Sequence, residues 1–74
     1  MTSTQLTTLA QRDPIYCQVQ RNCIWFHRNQ MRFVADCMRN AGLPRPTGLR
    51  LMKQHAAEIK QVYAEIDFAA QRYL

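Results

Sequence analysis

The most distinctive chemical pattern in the sequence is a group of arginines around its only tryptophan. The members recur at helical steps of three, four or seven, and they are Gln18, Arg21, Trp25, Arg28, Arg32 and Arg39. Guanidinium groups bind carboxylates and phosphates through paired hydrogen bonds, and both arginine and tryptophan are favoured as anchors of interfaces. The four arginines and Trp25, here called the Arg/Trp face, therefore predict a surface for an acidic or anionic partner. The competing interpretation is a solvated basic face on which Trp25 folds down onto arginine side chains.

A second basic cluster surrounds the predicted turn between two helices, and we call it the tip cluster. Its members are Arg39, Arg45, Arg50 and Lys53. The flanking prolines are expected to hold Arg45 out on a stiff loop. Arg50 and Lys53 are expected in the first turns of a helix, where the helix dipole disfavours cations. This unfavourable placement indicates an external anion or an acidic partner, whereas the simpler interpretation is an ordinary solvent-exposed loop.

Residues that could act as catalysts are few and dispersed. Ser3 is the only serine, and the five carboxylates are spread over helix ends and outer faces. Gly42 and Gly48 have positions typical of helix ends and not of a phosphate-binding loop. A two-helix hairpin also lacks the deep pocket in which a nucleophile and its base would meet. We therefore expect a protein that is not an enzyme and that needs no cofactor.

A metal site is the remaining chemical possibility. Cys23 and His27 stand four residues apart, a spacing that allows two ligands on one ion, but zinc needs three or four ligands. In the predicted hairpin His27 lies opposite Tyr63, and His55 lies nearer to Ala35. Because these ligands do not converge, the sequence predicts no metal site.

Length, charge and cysteine content restrict the class of protein. A chain of 74 residues forms one domain and buries only roughly 60% of its unfolded surface. Self-association would bury further apolar surface and so stabilise the fold. Three cysteines, all on one predicted helix, argue against a disulfide framework. The net charge of +5 favours an anionic partner. We expect a cytoplasmic protein, because the first ten residues do not resemble a secretory signal and no apolar run is long enough to cross a membrane.

Two long helices are expected to position these residues. Asp13 followed by Pro14 is typical of a helix start, and no further proline or glycine occurs before Gly42. Pro46 is expected to prevent helix continuation, and Thr47 is the predicted N-cap of the second helix. The predicted division is an N-terminal arm or short helix at 1–12, a helix at 14–41, a loop at 42–47 and a helix at 48–73. The fold class is therefore an all-α antiparallel helical hairpin.

Apolar residues follow a helical period along both long helices. The expected core stripe of the first is Tyr16, Val19, Cys23, Phe26, Gln30, Phe33 and Cys37. That of the second is Leu49, Met52, Ala56, Ile59, Tyr63, Ile66, Ala70 and Tyr73. Such spacing predicts nearly aligned, left-handed packing. Since the apolar arc of the first helix is wider than one neighbour can cover, we expect a homodimer that closes into a four-helix bundle.

Two functions fit this surface. The favoured one is a protein-interaction module, a small regulator, inhibitor or adaptor that binds an acidic surface of a larger protein through the Arg/Trp face. The alternative is nucleic-acid binding through the same face and the tip cluster. The basic residues of the Arg/Trp face are all arginine, and Glu58 and Glu65 dilute the positive field, so both features favour a protein partner.

Overall fold

The computed structural model describes residues 2–73, so residues 1 and 74 of the predicted domain lie outside it. The chain folds into three helices, α1 (Ser3–Arg12), α2 (Pro14–Asn40) and α3 (Arg45–Ala70), and residues 2–73 contain no strand. The long helices α2 and α3 pack against each other, which confirms the predicted all-α hairpin, and α1 packs on both. Over the described range, no helix combines the length and the apolar character that a membrane crossing requires.

The N-terminal arm forms a capped helix that is anchored to the end of the hairpin. The Thr2 hydroxyl accepts a hydrogen bond from the Gln5 backbone N–H, and the Gln5 side chain accepts one from the Thr2 N–H, which together form a capping box. Farther along α1, Leu9 is fully buried against Ala69 and Ala70 of α3. This contact fixes α1 beside the junction of the other two helices.

The start of α2 is tied to the end of α3. Pro14 occupies the first turn of α2 as predicted, but the Asp13 side chain makes no capping hydrogen bond. Its carboxylate instead accepts a hydrogen bond of 2.8 Å from the Tyr73 hydroxyl and lies 3.5 Å from the Arg72 guanidinium. One carboxylate therefore closes the open end of the hairpin.

The predicted start of the second helix is wrong. α3 begins at Arg45 and not after Thr47, with Pro46 inside its first turn. Proline lacks a backbone N–H, but the first turn of a helix has no internal partner for that group, so Pro46 is compatible with the helix start. Gly42, with a φ of 72°, follows the end of α2 as expected. The connection is thus four residues long instead of six.

Gly48 also differs from its predicted role as a helix end. It lies within α3 and is buried. A Cβ added at Gly48 would overlap the Sδ and Cγ atoms of Met38 on α2. The absence of a side chain therefore lets a methionine of one helix pack directly on the backbone of the other.

The predicted core stripes are wrong at every second position. At these positions the seam contains the chain neighbour of the predicted residue, the following one on α2 and the preceding one on α3. The interhelical seam contains Gln20, His27 and Val34 of α2 and Gly48, His55, Val62 and Ala69 of α3. The expected occupants that remain exposed instead are Val19, Phe26, Phe33, Leu49, Ala56 and Tyr63. Most of the other predicted positions are half-buried, and Ala70 is buried. The seam thus uses smaller and more polar side chains than hydrophobicity alone predicts.

The polar seam residues, of which Gln20 is buried and His27 and His55 are half-buried, all have hydrogen-bond partners. The Gln20 amide donates hydrogen bonds of 3.0 Å to the Tyr16 hydroxyl and 3.1 Å to a Glu65 carboxylate oxygen. The Nδ1 atoms of His27 and His55 lie 2.8 Å apart, so one must donate and the other accept. Such pairing removes most of the desolvation cost of a buried polar group.

The histidine contact overturns the predicted register, in which His27 lay opposite Tyr63 and His55 lay near Ala35. The shorter connection moves the centre of the hairpin toward the N-terminus by about two residues. Each residue of α2 consequently faces a position of α3 about four residues earlier in the chain than expected, which places His27 level with Ile59 instead of Tyr63. The side chains of His27 and His55 span the remaining helical turn.

We predict that the effect of Gly48→Ala changes sign when Met38 is truncated. In the wild-type background the added Cβ meets Met38, and we expect a loss of about 1–3 kcal/mol in unfolding free energy, as is typical of overpacking. In a Met38→Ala background the same substitution should stabilise by up to about 1 kcal/mol, since alanine is the better helix former. Denaturant unfolding of the four proteins measures both effects, and stabilisation by Gly48→Ala in both backgrounds would show that Met38 does not pack there.

We also predict that alkaline unfolding depends on Tyr73. The hydrogen bond to Asp13, followed by burial, raises the pKa of Tyr73 above its ordinary value of 10.0. Because the neutral phenol is favoured in the folded state, the stabilisation is complete below pH 10 and is lost as pH rises through the folded-state pKa. Unfolding free energy measured against pH should decline less steeply at alkaline pH in Tyr73→Phe, whereas Tyr63→Phe should retain the steeper decline. Identical profiles for Tyr73→Phe and wild type would contradict the contact.

Candidate protein-interaction face

The uninterrupted helix α2 places the predicted arginines and Trp25 on one side of the molecule. Arg21, Arg28 and Arg32 are exposed and lie at steps of four and seven along α2. Trp25 stands among them with 69% of its surface exposed. The arginine side chains therefore leave most of the indole uncovered, and the ring stays available to a partner.

The arginines differ in how much of their charge is already paired. Arg39 forms an ion pair with Asp36, one turn earlier on the same helix. Within residues 2–73 neither Arg21 nor Arg32 has a carboxylate at ion-pair distance. These two guanidinium groups therefore have the most hydrogen-bonding capacity left for carboxylates of a partner.

An apolar groove runs beside the Arg/Trp face. α1 contributes Leu6 and Ala10, α2 contributes Ile24 and Trp25, and α3 contributes Tyr63. It is wide and open to solvent at the surface of the hairpin, and most of its lining is apolar. Because Arg21 and Arg28 border this apolar groove, it suits a partner segment that carries both apolar and acidic side chains.

The groove was not predicted, because its walls come from three helices that are distant in sequence. Arg28 joins them: its guanidinium donates a hydrogen bond of 3.4 Å to the Tyr63 hydroxyl of α3. Leu6 is 41% exposed, so α1 forms a wall without closing over the groove. Spacing along α2 identifies the arginines, but only the packed α1 and α3 show what lies beside them.

The tip cluster is spread over different sides of the hairpin. Arg45 is the first residue of α3, and the prediction that it projects from a stiff loop is wrong. Arg45 and Arg50 are separated by about 140° around the helix axis, since each residue of a helix turns by about 100°. Lys53 is exposed one turn beyond Arg50, and Arg39 is partly neutralised by Asp36. The cluster therefore offers four dispersed cations and not one concentrated site.

Metal-binding side chains are not assembled in the described part of the chain. Cys17, Cys23 and Cys37 are free thiols. The Nδ1 atoms of His27 and His55 are engaged with each other. Among residues 2–73 no three histidine, cysteine or carboxylate side chains are grouped as a metal ion would require.

Comparisons of the chain with known protein families, with characterised proteins and with solved structures find no match. The chemistry of its own surface is therefore what indicates its function. On α2 that surface combines an uncovered indole, two unpaired guanidinium groups and an adjacent apolar groove.

Proposed function

We propose that this protein is a non-enzymatic interaction module that binds an acidic surface of a larger protein through its Arg/Trp face. The observation that carries the proposal is the exposure of Trp25, at 69%, between Arg21, Arg28 and Arg32. A large aromatic side chain surrounded by arginines has the composition of an interface centre, where Trp and Arg supply most of the binding free energy. Binding there would inhibit the larger protein or join it to a further component.

The groove supports a partner that is apolar as well as acidic. Leu6, Ile24 and Tyr63 provide apolar contact next to Trp25, and Arg21 and Arg28 border the same groove. A partner segment with a hydrophobic residue in the groove and carboxylates on either side would satisfy both features. Nucleic acid offers phosphates for the arginines but no aliphatic side chain for the groove, so the groove favours a protein.

We further propose that the protein functions as a homodimer in a helical bundle. Large apolar side chains of α2 that do not enter the seam, including Phe26 and Phe33, are more than half exposed. Phe26 lies about 160° around the helix from Arg28 and about 100° from Trp25, so the phenylalanines are on a different side of α2 from the Arg/Trp face. Self-association would cover them and leave the Arg/Trp face open.

Capture from a lysate of the source cells tests the protein-binding proposal. Tagged wild-type protein should retain a discrete protein after nuclease treatment. Trp25→Ala should weaken that complex by at least about 2 kcal/mol, the size of an interface hot spot. Arg32→Glu should also weaken it, whereas Lys60→Glu, an exposed substitution on α3 with the same change of charge, should not.

The alternatives give different results in the same experiment. Capture that disappears with nuclease would indicate nucleic-acid binding. Equal losses for Arg32→Glu and Lys60→Glu would indicate attraction by net charge without a defined face. Circular dichroism of each variant verifies that the helices are intact, so that a lost interaction is not confused with unfolding.

A further inference from the structure

The side of the hairpin away from the Arg/Trp face carries an exposed apolar strip on α2. Its members are Ile15, Val19, Phe26 and Phe33, which are 80%, 53%, 51% and 63% exposed. Val19, Phe26 and Phe33 are seven residues apart, so they form a line along the helix. The strip extends over about 27 Å, at 1.5 Å per residue. Isolated apolar residues are common on protein surfaces, but a continuous line of this length that contains two phenylalanines indicates an interaction site.

The strip is uncharged along its length. The polar positions between its members are occupied by Gln30 and by Asn22, which accepts a hydrogen bond from Gln18 and also borders the groove. The charged residues of α2 between 15 and 33 are all arginines of the Arg/Trp face. A chain with a net charge of +5 repels a second copy of itself except where charge is excluded from the contact. The strip is such a place.

The strip is also complementary to itself. If two copies of α2 run antiparallel about a two-fold axis at Phe26, each residue meets the one at the same distance on the other side of that axis. Val19 then meets Phe33 of the second copy, Asn22 meets Gln30, and Phe26 meets Phe26. Apolar residues face apolar residues and amides face amides, which is the condition for an isologous interface.

The polar side of α3 fits the same arrangement. Glu65, hydrogen-bonded to Gln20, lies at the level of that residue, and the contact between Gly48 and Met38 places Arg50 near the other end of the strip. Along the direction of the helices, the two-fold axis therefore places Glu65 of one copy within about one helical turn of the level of Arg50 of the other. Because the axis creates this pair twice, opposite charges lie at both ends of the contact.

From these observations we propose that the strip is the dimer interface, occupied by the strip of a second copy in antiparallel orientation with Phe26 at the two-fold axis. This inference rests on the proposed homodimer and adds the face and the pairing. It is independent of what the Arg/Trp face binds.

The first test is the mass in solution of the full chain and of two variants, measured by sedimentation equilibrium. Wild type should have twice the 8.7 kDa mass of one chain. Phe26→Glu places two carboxylates at the axis and should raise the dimer dissociation constant by at least about 30-fold, the size of an interface hot spot. The matched control is Leu49→Glu, at an apolar residue of similar exposure on the other side of the hairpin, which should leave the dimer intact.

The second test determines orientation. Val19→Glu and Phe33→Lys should each weaken the dimer, and the double variant should recover it, because antiparallel packing places position 19 of one copy beside position 33 of the other. In a parallel dimer the double variant would bring like charges together and would stay dissociated, which would overturn the proposed pairing.

The outcomes separate the inference from the proposal that it rests on. A wild-type monomer at millimolar concentration would overturn both the homodimer and its interface. A dimer that persists in Phe26→Glu would retain the homodimer and overturn the strip as its interface. Circular dichroism shows whether each variant keeps its helices, and recovery in the double variant excludes misfolding as the cause of dissociation.

Discussion

The close approach of α2 to the backbone of α3 determines which side chains remain on the surface. At Gly48 the absence of a Cβ makes room for Met38, and farther along the seam His27 and His55 form a hydrogen bond with each other. Small and mutually bonded residues therefore occupy the positions at which heptad patterns usually bury large apolar ones. The large residues of α2 are displaced to the sides of the hairpin as a consequence.

This displacement gives α2 two different surfaces. On one side, Trp25, Arg21 and Arg28 border a groove that α1 and α3 complete. On the other side, Val19, Phe26 and Phe33 form an uncharged line. Because the two surfaces point in different directions, one can contact a second copy while the other contacts a partner.

The N-terminal helix links the stability of the fold to the shape of the groove. Leu9 is the fully buried large side chain that fixes α1, and Leu6, one turn earlier, forms part of the groove wall. The carboxylate of Asp13 holds Tyr73 and Arg72 at the same end of the molecule. A short domain with a small core thus uses its terminal helix both for burial and for the surface that we propose to bind a partner.

Local signals in the sequence were sufficient for the two long helices, for the start of α2 and for the alignment of the arginines with Trp25. Pro14 and Gly42 mark the ends of α2, and a continuous helix necessarily aligns arginines at steps of four and seven. The start of α3 was missed because Pro46 is compatible both with a loop and with a first helical turn.

Local patterns could not predict which residues of α2 and α3 face each other in the seam. Burial of Gln20 depends on Glu65, which is 45 residues away, and the half-buried position of His27 in the seam depends on His55, which is 28 residues away. The spacing of apolar residues instead predicts Val19, Phe26 and Phe33 as the seam residues of α2. The groove was missed for the same reason, since its walls meet only after α1 and α3 have packed.

The most direct test of this account is the set of nuclear Overhauser contacts from the His27 imidazole ring, because the seam depends on its position. The account predicts contacts between the ring protons of His27 and those of His55. Contacts from His27 to Tyr63, together with contacts from Phe26 to Ile59 of the same chain, would place the phenylalanines in the seam and contradict the register on which both proposed surfaces depend.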